Sequence, residues 1–107
     1  MHVLISIKPQ YVEKIVASTK KFEYRSYPMT GITDLWVYTT LPTGAVEYKL
    51  EVGEAQEHND EYAIPILRVK KLAQPILLSE MKQRGIHPPQ KYAYVSKNLR
   101  ALFEKRL

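Results

Sequence analysis

From Ala45 to Gly53 the chain alternates apolar and charged side chains: Val46, Tyr48, Leu50 and Val52, with Glu47, Lys49 and Glu51 between them. Successive side chains of a strand point to opposite faces, so this segment is expected to be a strand with its four apolar residues turned to a core and its three charges turned out. The other segments fit around it. His2 to Ile7 is rich in β-branched residues and is expected to be a strand rather than a leader, its apolar run being too short for a signal-peptide core. Pro9 suits the first position of a helix, where its missing N–H costs nothing. Behind it, Tyr11, Val12, Ile15 and Val16 share one helical face while Gln10, Glu13 and Lys14 face water. Ser18 and Thr19 end that helix without the usual glycine.

Lys21 to Tyr27 alternates again, and Leu35 to Thr40 is apolar and aromatic on both faces, as a central strand is. Glu54 to Glu61 is polar and expected to be a loop. Ile64 to Leu72 is a further strand, with Pro65 placing its first residues at an edge or bulge. Ser79 is expected to cap a helix from Glu80 to Arg84 that Gly85 stops. His87-Pro88-Pro89-Gln90 is an extended turn, and Lys91 to Val95 a last strand. Ser96 then caps a closing helix with Leu99, Leu102 and Phe103 on its apolar face. Mostly adjacent strands with few crossovers exclude a doubly wound parallel sheet. The expected fold is α+β: a small mixed β-barrel of about five to six strands with two to three helices, residues 1–107 forming a single domain.

With 107 residues there is room for one core. The longest uncharged stretch, Leu35 to Val46, is broken by Pro42 and Gly44, well short of the roughly 20 apolar residues a membrane helix needs. Absence of cysteine removes disulfides, thiolate zinc sites and cysteine nucleophiles, and accords with a cytoplasmic placement. His2, His58 and His87 have no metal-ligand spacing, and there is no Gly-rich phosphate loop or Gly-x-Ser-x-Gly elbow, so neither a metal nor a cofactor is expected. Charge is unevenly spread. Leu41 to Tyr62 holds six acids against Lys49 alone, net −5, and the remainder holds 15 Lys/Arg against 5 Asp/Glu, net +10. Such a remainder suits polyanions.

The strongest candidate site lies where the first helix hands over to the second strand. Lys21, Glu23 and Arg25 are two apart, on one strand face, and Lys20 sits at the corner. Arginine is a planar fork for phosphate or a base edge, lysine a compact cation for a phosphate oxygen, and Glu23 between them holds both in place. Lys8 adds a cation at the helix start, where free N–H groups also favour anions. Arg68, Lys70 and Lys71, with Lys97, Arg100, Lys105 and Arg106 on the closing helix, are either a phosphate track or a solvated surface. His58-Asn59-Asp60-Glu61 is expected to be a solvated loop.

Four segments, in order, resemble the ASCH domain, a branch of the PUA-like β-barrels. Leu4-Ile5-Ser6-Ile7-Lys8-Pro9-Gln10-Tyr11 matches its opening strand and helix. Lys20-Lys21-Phe22-Glu23-Tyr24-Arg25 matches the charged positions of its G-x-K-x-x-E-x-R hallmark, with Ser18 in place of the glycine. Tyr38-Thr39-Thr40-Leu41-Pro42 resembles the next strand and turn, and Pro88-Pro89-Gln90-Lys91-Tyr92 a segment of a bacterial and phage-like subgroup. The resemblance implies a PUA-like pseudo-barrel with a cleft beside the helix-to-strand junction. It implies RNA or nucleotide binding, regulatory in transcription or RNA metabolism, with single-stranded RNA as the expected partner. Lys8, Lys20, Glu23 and Arg25 would hold the ligand, and Tyr38 and Tyr92, both in matched segments, would stack on bases. The alternative is a metal-independent hydrolase, a ribonuclease or modified-nucleoside amidohydrolase, with Lys20 and Glu23 catalytic. One ASCH branch is an amidohydrolase whose proposed groups include a Lys, matched by Lys20, and a Thr, at whose position this chain has Glu23.

Overall fold

The computed structural model describes residues 1–107. Its elements run β1 (His2–Ile7), α1 (Pro9–Val16), β2 (Phe22–Arg25), β3 (Asp34–Thr39), β4 (Ala45–Val52), β5 (Gln56–His58), β6 (Glu61–Leu77), α2 (Leu78–Gln83), β7 (Tyr92–Tyr94) and α3 (Lys97–Glu104). The strands form one curled sheet in the order β2-β6-β4-β3-β1-β7, with β5 pairing β6 off this path. Only β1 and β3 run parallel, because α1 and β2 intervene between them; every other pairing is antiparallel. This is a small α+β half-barrel with a mixed sheet, as expected from the order of the elements. No helix is long and apolar enough to cross a membrane.

Seven strands form where about five to six were expected. The extra one is β5, in the segment expected to be a loop. Asn59 and Asp60 take φ of 49° and 64°, and His58 pairs with Glu61 across them. Positive φ at both central residues is the two-residue hairpin turn whose twist matches that of its strands, and Asn and Asp tolerate it. Polar composition masked a hairpin built by its turn.

β6 is also longer than expected, because it serves two partners in turn. Its first residues pair with β2 and β5, and from Ile66 onward it pairs with β4. Pro65 sits at the changeover, beside a register shift at Glu51/Val52. Gly53 donates its N–H to the Pro65 carbonyl at 2.9 Å, and a Cβ on Gly53 would lie 3.0 Å from the Pro65 ring, a tight approach that glycine eases.

The curl divides the apolar residues into two clusters. Val3, Ile5, Ile7, Leu35, Val37, Leu50 and Val52 fill the barrel, and Val12 and Ile15 of α1 plug it. Leu4, Trp36, Tyr38, Val46, Leu72 and Ile76 pack the opposite face under Met81 of α2 and Phe103 of α3. The alternation in β4 does not run straight through. Val37 pairs with Tyr48 and Tyr38 with Val46, leaving Glu47 as the extra residue of a bulge. Val46 therefore joins the outer cluster, while Leu50 and Val52 join the inner one. Lys49 corrects the expected pattern further: it is buried on the outer face against Trp36, its partner in register.

The two later helices show one difference each way. Ser96 caps α3 as expected, its Oγ accepting from the Leu99 N–H at 3.2 Å, with Phe103 buried. Helix α2 begins earlier than expected, at Leu78, and Ser79 lies inside it with no capping bond. Gly85, at φ 71°, ends it.

Candidate functional site

The corner between α1 and β2 is shaped by a helix end that does without glycine. Ala17 is the C-cap of α1, and Ser18 follows at φ 62°. The Ser18 N–H donates to the Ile15 carbonyl at 3.1 Å and the Thr19 N–H to the Lys14 carbonyl at 3.0 Å. This pair of bonds is the Schellman motif, usually built on glycine because the left-handed backbone crowds a Cβ. The Lys20 N–H also donates to the Lys14 carbonyl, at 3.1 Å. The chain is thereby folded back, and the Lys20 ammonium lies 5.8 Å from the Tyr11 ring centre and 5.7 Å from that of Tyr24.

Beyond the corner lies a cleft of about 740 Å³, walled by Ser6, Ile7 and Lys8 of the β1–α1 junction, Tyr11, Lys20, the β2 residues Glu23 to Arg25, Tyr38, Thr40, and Pro88 to Gln90. It lies at the gap in the curled sheet, where edge strand β2 faces β1. The Pro-Pro turn is fixed across this gap by the Ser6 hydroxyl, which donates to the Pro89 carbonyl at 2.7 Å. Arg25 spans the gap, its Nη2 donating to the Ser6 carbonyl at 3.2 Å.

Glu23 is 6% exposed and lies between two cations. Its Oε2 accepts from Lys20 Nζ at 3.1 Å, and its Oε1 lies 3.7 Å from Arg25 Nη2. A buried carboxylate is tolerated where such partners surround it. Arg25 Nε is buried and has no acceptor within the protein, and the Tyr27 hydroxyl behind it is likewise unpartnered. Burial pushes the Tyr27 phenol above its ordinary value, with the Arg25 cation opposing and Glu23 reinforcing the rise.

Of the residues proposed from the sequence, the fold brings Lys8, Lys20, Glu23, Arg25 and Tyr38 to this one cleft. Tyr92 is elsewhere. It pairs with Ile5 on the β7 edge and stacks on Tyr27 with ring centres 5.5 Å apart. Lys21 does not join the cleft either: it precedes β2, is exposed, and uses its carbonyl to accept from the Ile66 N–H. Tyr38 is 4% exposed and offers no free ring face. The exposed cleft aromatics are Tyr11 and Tyr24, at 42% and 50%. Sequence reasoning assigned Tyr11 to the buried helix face, but α1 buries only Val12 and Ile15. Four of the other basic residues are engaged: Arg68 and Lys70 with Glu51 at 3.9 and 3.5 Å, Arg100 with Glu104 at 2.5 Å, and Arg106 with Glu80 of α2.

No protein-family model matches the chain, and no curated protein does. Solved structures do. The ASCH protein of Zymomonas mobilis superposes with a TM-score of 0.82 over 97% of this chain and 94% of its own, at 17% identity. The fold is that of ASCH domains. A Tyr-to-Phe variant of the same protein gives a TM-score of 0.83 at 16% identity, covering 97% and 96% of the two chains. An NMR structure of Rpa0253 from Rhodopseudomonas palustris gives 0.64 at 14% identity, covering 98% and 91%. Within this ASCH fold, Lys20, Glu23 and Arg25 stand at the helix-to-strand junction and face the cleft beside it.

Proposed function

We propose that this cleft binds single-stranded RNA or a nucleotide-like ligand, as a cytoplasmic module of RNA metabolism or transcriptional regulation. One observation carries the reading: Glu23 fixes two cations against the wall of an open cleft, and Lys20 and Arg25 each keep about a fifth of the side chain exposed there. Lys8, Lys20 and Arg25 outnumber Glu23, so the cleft is basic and suits phosphate. Tyr11 and Tyr24, already flanking Lys20, provide faces on which a base can stack, at about 1–3 kcal/mol per base. The polar groups of Thr40 and Gln90 face the same space and can meet a base edge.

The hydrolase alternative asks Glu23 to take a proton. Both its oxygens lie against cations, which favours Glu23 as a positioning group. Binding is the better reading.

The test is titration of a labelled single-stranded RNA at several salt concentrations. Lys20→Ala and Arg25→Ala should each weaken binding about tenfold, the order expected for a charge-assisted hydrogen bond. Each should also flatten the log–log salt slope by about 0.7. Unchanged affinity and slope in both variants would remove the cleft as the site. Incubation with the same RNA in EDTA separates the alternatives, since cleavage abolished by Glu23→Gln would establish the hydrolase instead.

A further inference from the structure

Helix α1 has a second cavity on its other flank. It measures about 340 Å³ and lies between α1 and the adjoining ends of β3 and β4. Thr39 faces it, whereas its chain neighbours Tyr38 and Thr40 face the first cleft. Pro9, Val12, Val16 and Ala17 make one wall apolar. Glu13 stands on the helix side and Glu47 on the strand side.

Three features set this cavity apart from an ordinary gap between a helix and a sheet. Thr39 is 2% exposed, yet its hydroxyl has no hydrogen-bond partner in the protein. A buried hydroxyl without a partner costs about 1–3 kcal/mol, and a valine of the same shape would avoid that cost. Glu47 is the bulged residue of β4, and a bulge is a device that re-aims a side chain. Finally, neither Glu13 nor Glu47 makes an ion pair, although the protein carries a formal net charge of +5.

We propose that this cavity is a second ligand site, taking a small organic cation: an ammonium group carried on a compact aliphatic or aromatic body. The body packs on Pro9, Val12 and Val16. The ammonium is drawn by the two carboxylates, and the Thr39 hydroxyl gains the partner it lacks. The charge preference is the reverse of that in the first cleft, so the two sites select different ligands across one helix.

The probe is phenethylammonium, with 2-phenylethanol as its neutral counterpart, titrated into the isotopically labelled protein and followed by amide chemical shifts. Saturable shifts are expected at Ala17, Thr39 and Thr43, with the amine binding more tightly than the alcohol. Glu13→Gln and Glu47→Gln should each weaken the amine about 3- to 5-fold, the scale of a partly exposed ion pair, and leave the alcohol unaffected. Thr39→Val is expected to weaken the amine while the melting temperature holds or rises, which a merely structural threonine would not permit. Equal binding of amine and alcohol, shifts confined to other surfaces, or indifference to both Glu substitutions would overturn the proposal. So would tighter binding there of a lysine-containing peptide, since that outcome assigns the face to a protein partner.

Discussion

Two carboxylates, Glu23 and Asp34, are each held below the surface between basic side chains, and they serve different ends. Asp34 receives Lys49 Nζ at 3.2 Å and His2 Nε2 at 3.0 Å, and the Thr33 hydroxyl donates to it at 2.7 Å. Its partners are themselves occupied. His2 Nδ1 accepts from the Trp36 indole N–H at 3.0 Å, and Lys49 lies 5.4 Å from the Trp36 ring centre, with Phe103 beyond. This arrangement is closed and saturated, tying β1, β3 and β4 together. Glu23 also holds two cations, but they line an open cleft and stay partly exposed to it. A saturated cluster is a brace, whereas partly exposed charges beside empty volume make a site.

The largest expected effect tests that distinction through stability. Asp34→Ala leaves Lys49 and His2 under the surface without their anion and should cost about 3 kcal/mol in urea unfolding. Glu23→Ala should cost about 1 kcal/mol, because Lys20 and Arg25 can turn into the cleft and keep their tyrosine and Ser6 contacts. An equal or greater loss from Glu23→Ala would break the comparison and make the cleft cluster a brace as well.

A second difference is acid sensitivity. Burial holds the His2 imidazole below its ordinary value of 6.5, outweighing the pull of Asp34, and Arg100, Lys49 and the chain's amino group add to the depression. Protonation would also turn Nδ1 from an acceptor into a donor facing the Trp36 N–H. The native state therefore binds fewer protons than the unfolded chain below pH 6.5, and stability must fall as pH drops from that value toward the folded-state pKa. Asp34 extends the loss to lower pH. Burial raises its carboxyl, but Thr33, His2 and Lys49 together bring it below its ordinary 3.8. Unfolding free energies between pH 8 and 5 should decline less in His2→Gln than in the parent, and parallel declines would show that His2 does not carry the effect.

The two clusters also differ in how far the sequence exposed them. Lys20, Glu23 and Arg25 are neighbours in the chain, so strand periodicity alone brings Glu23 and Arg25 to one face, and a short motif completes the corner. The brace is built from residues at positions 2, 34 and 49, which meet only because β1 and β3 run parallel and β4 returns beside them. Nothing local announces this, and Lys49 in particular is charged within an alternating strand, the usual mark of an outward residue. Tyr92 shows the opposite failure. A matched segment suggested it for the cleft, but β7 pairs with β1 at the edge bordering the gap and its ring stacks on Tyr27 instead of lining the cleft. The β4 bulge was hidden for a third reason: the pattern of apolar and charged residues continues through Glu47 while the strand register does not.

The smallest effect isolates the corner itself. Ser18 holds a left-handed backbone at φ 62°, where a Cβ is crowded by the following carbonyl, a cost of roughly 1–2 kcal/mol. Glycine removes that crowding but loses more entropy on folding, roughly 0.5–1 kcal/mol. The difference predicts that Ser18→Gly stabilises the protein by about 0.5 kcal/mol, readable as a small rise in urea midpoint at constant slope. The Schellman bonds are made by backbone groups, so they survive the change, Lys20 stays where it is, and RNA affinity should not move. If the variant gained stability and lost binding, the serine hydroxyl or the stiffness of the corner would have to be counted as part of the cleft. If it lost stability, the left-handed turn would be carrying a serine contact that the hydrogen-bond pattern does not contain.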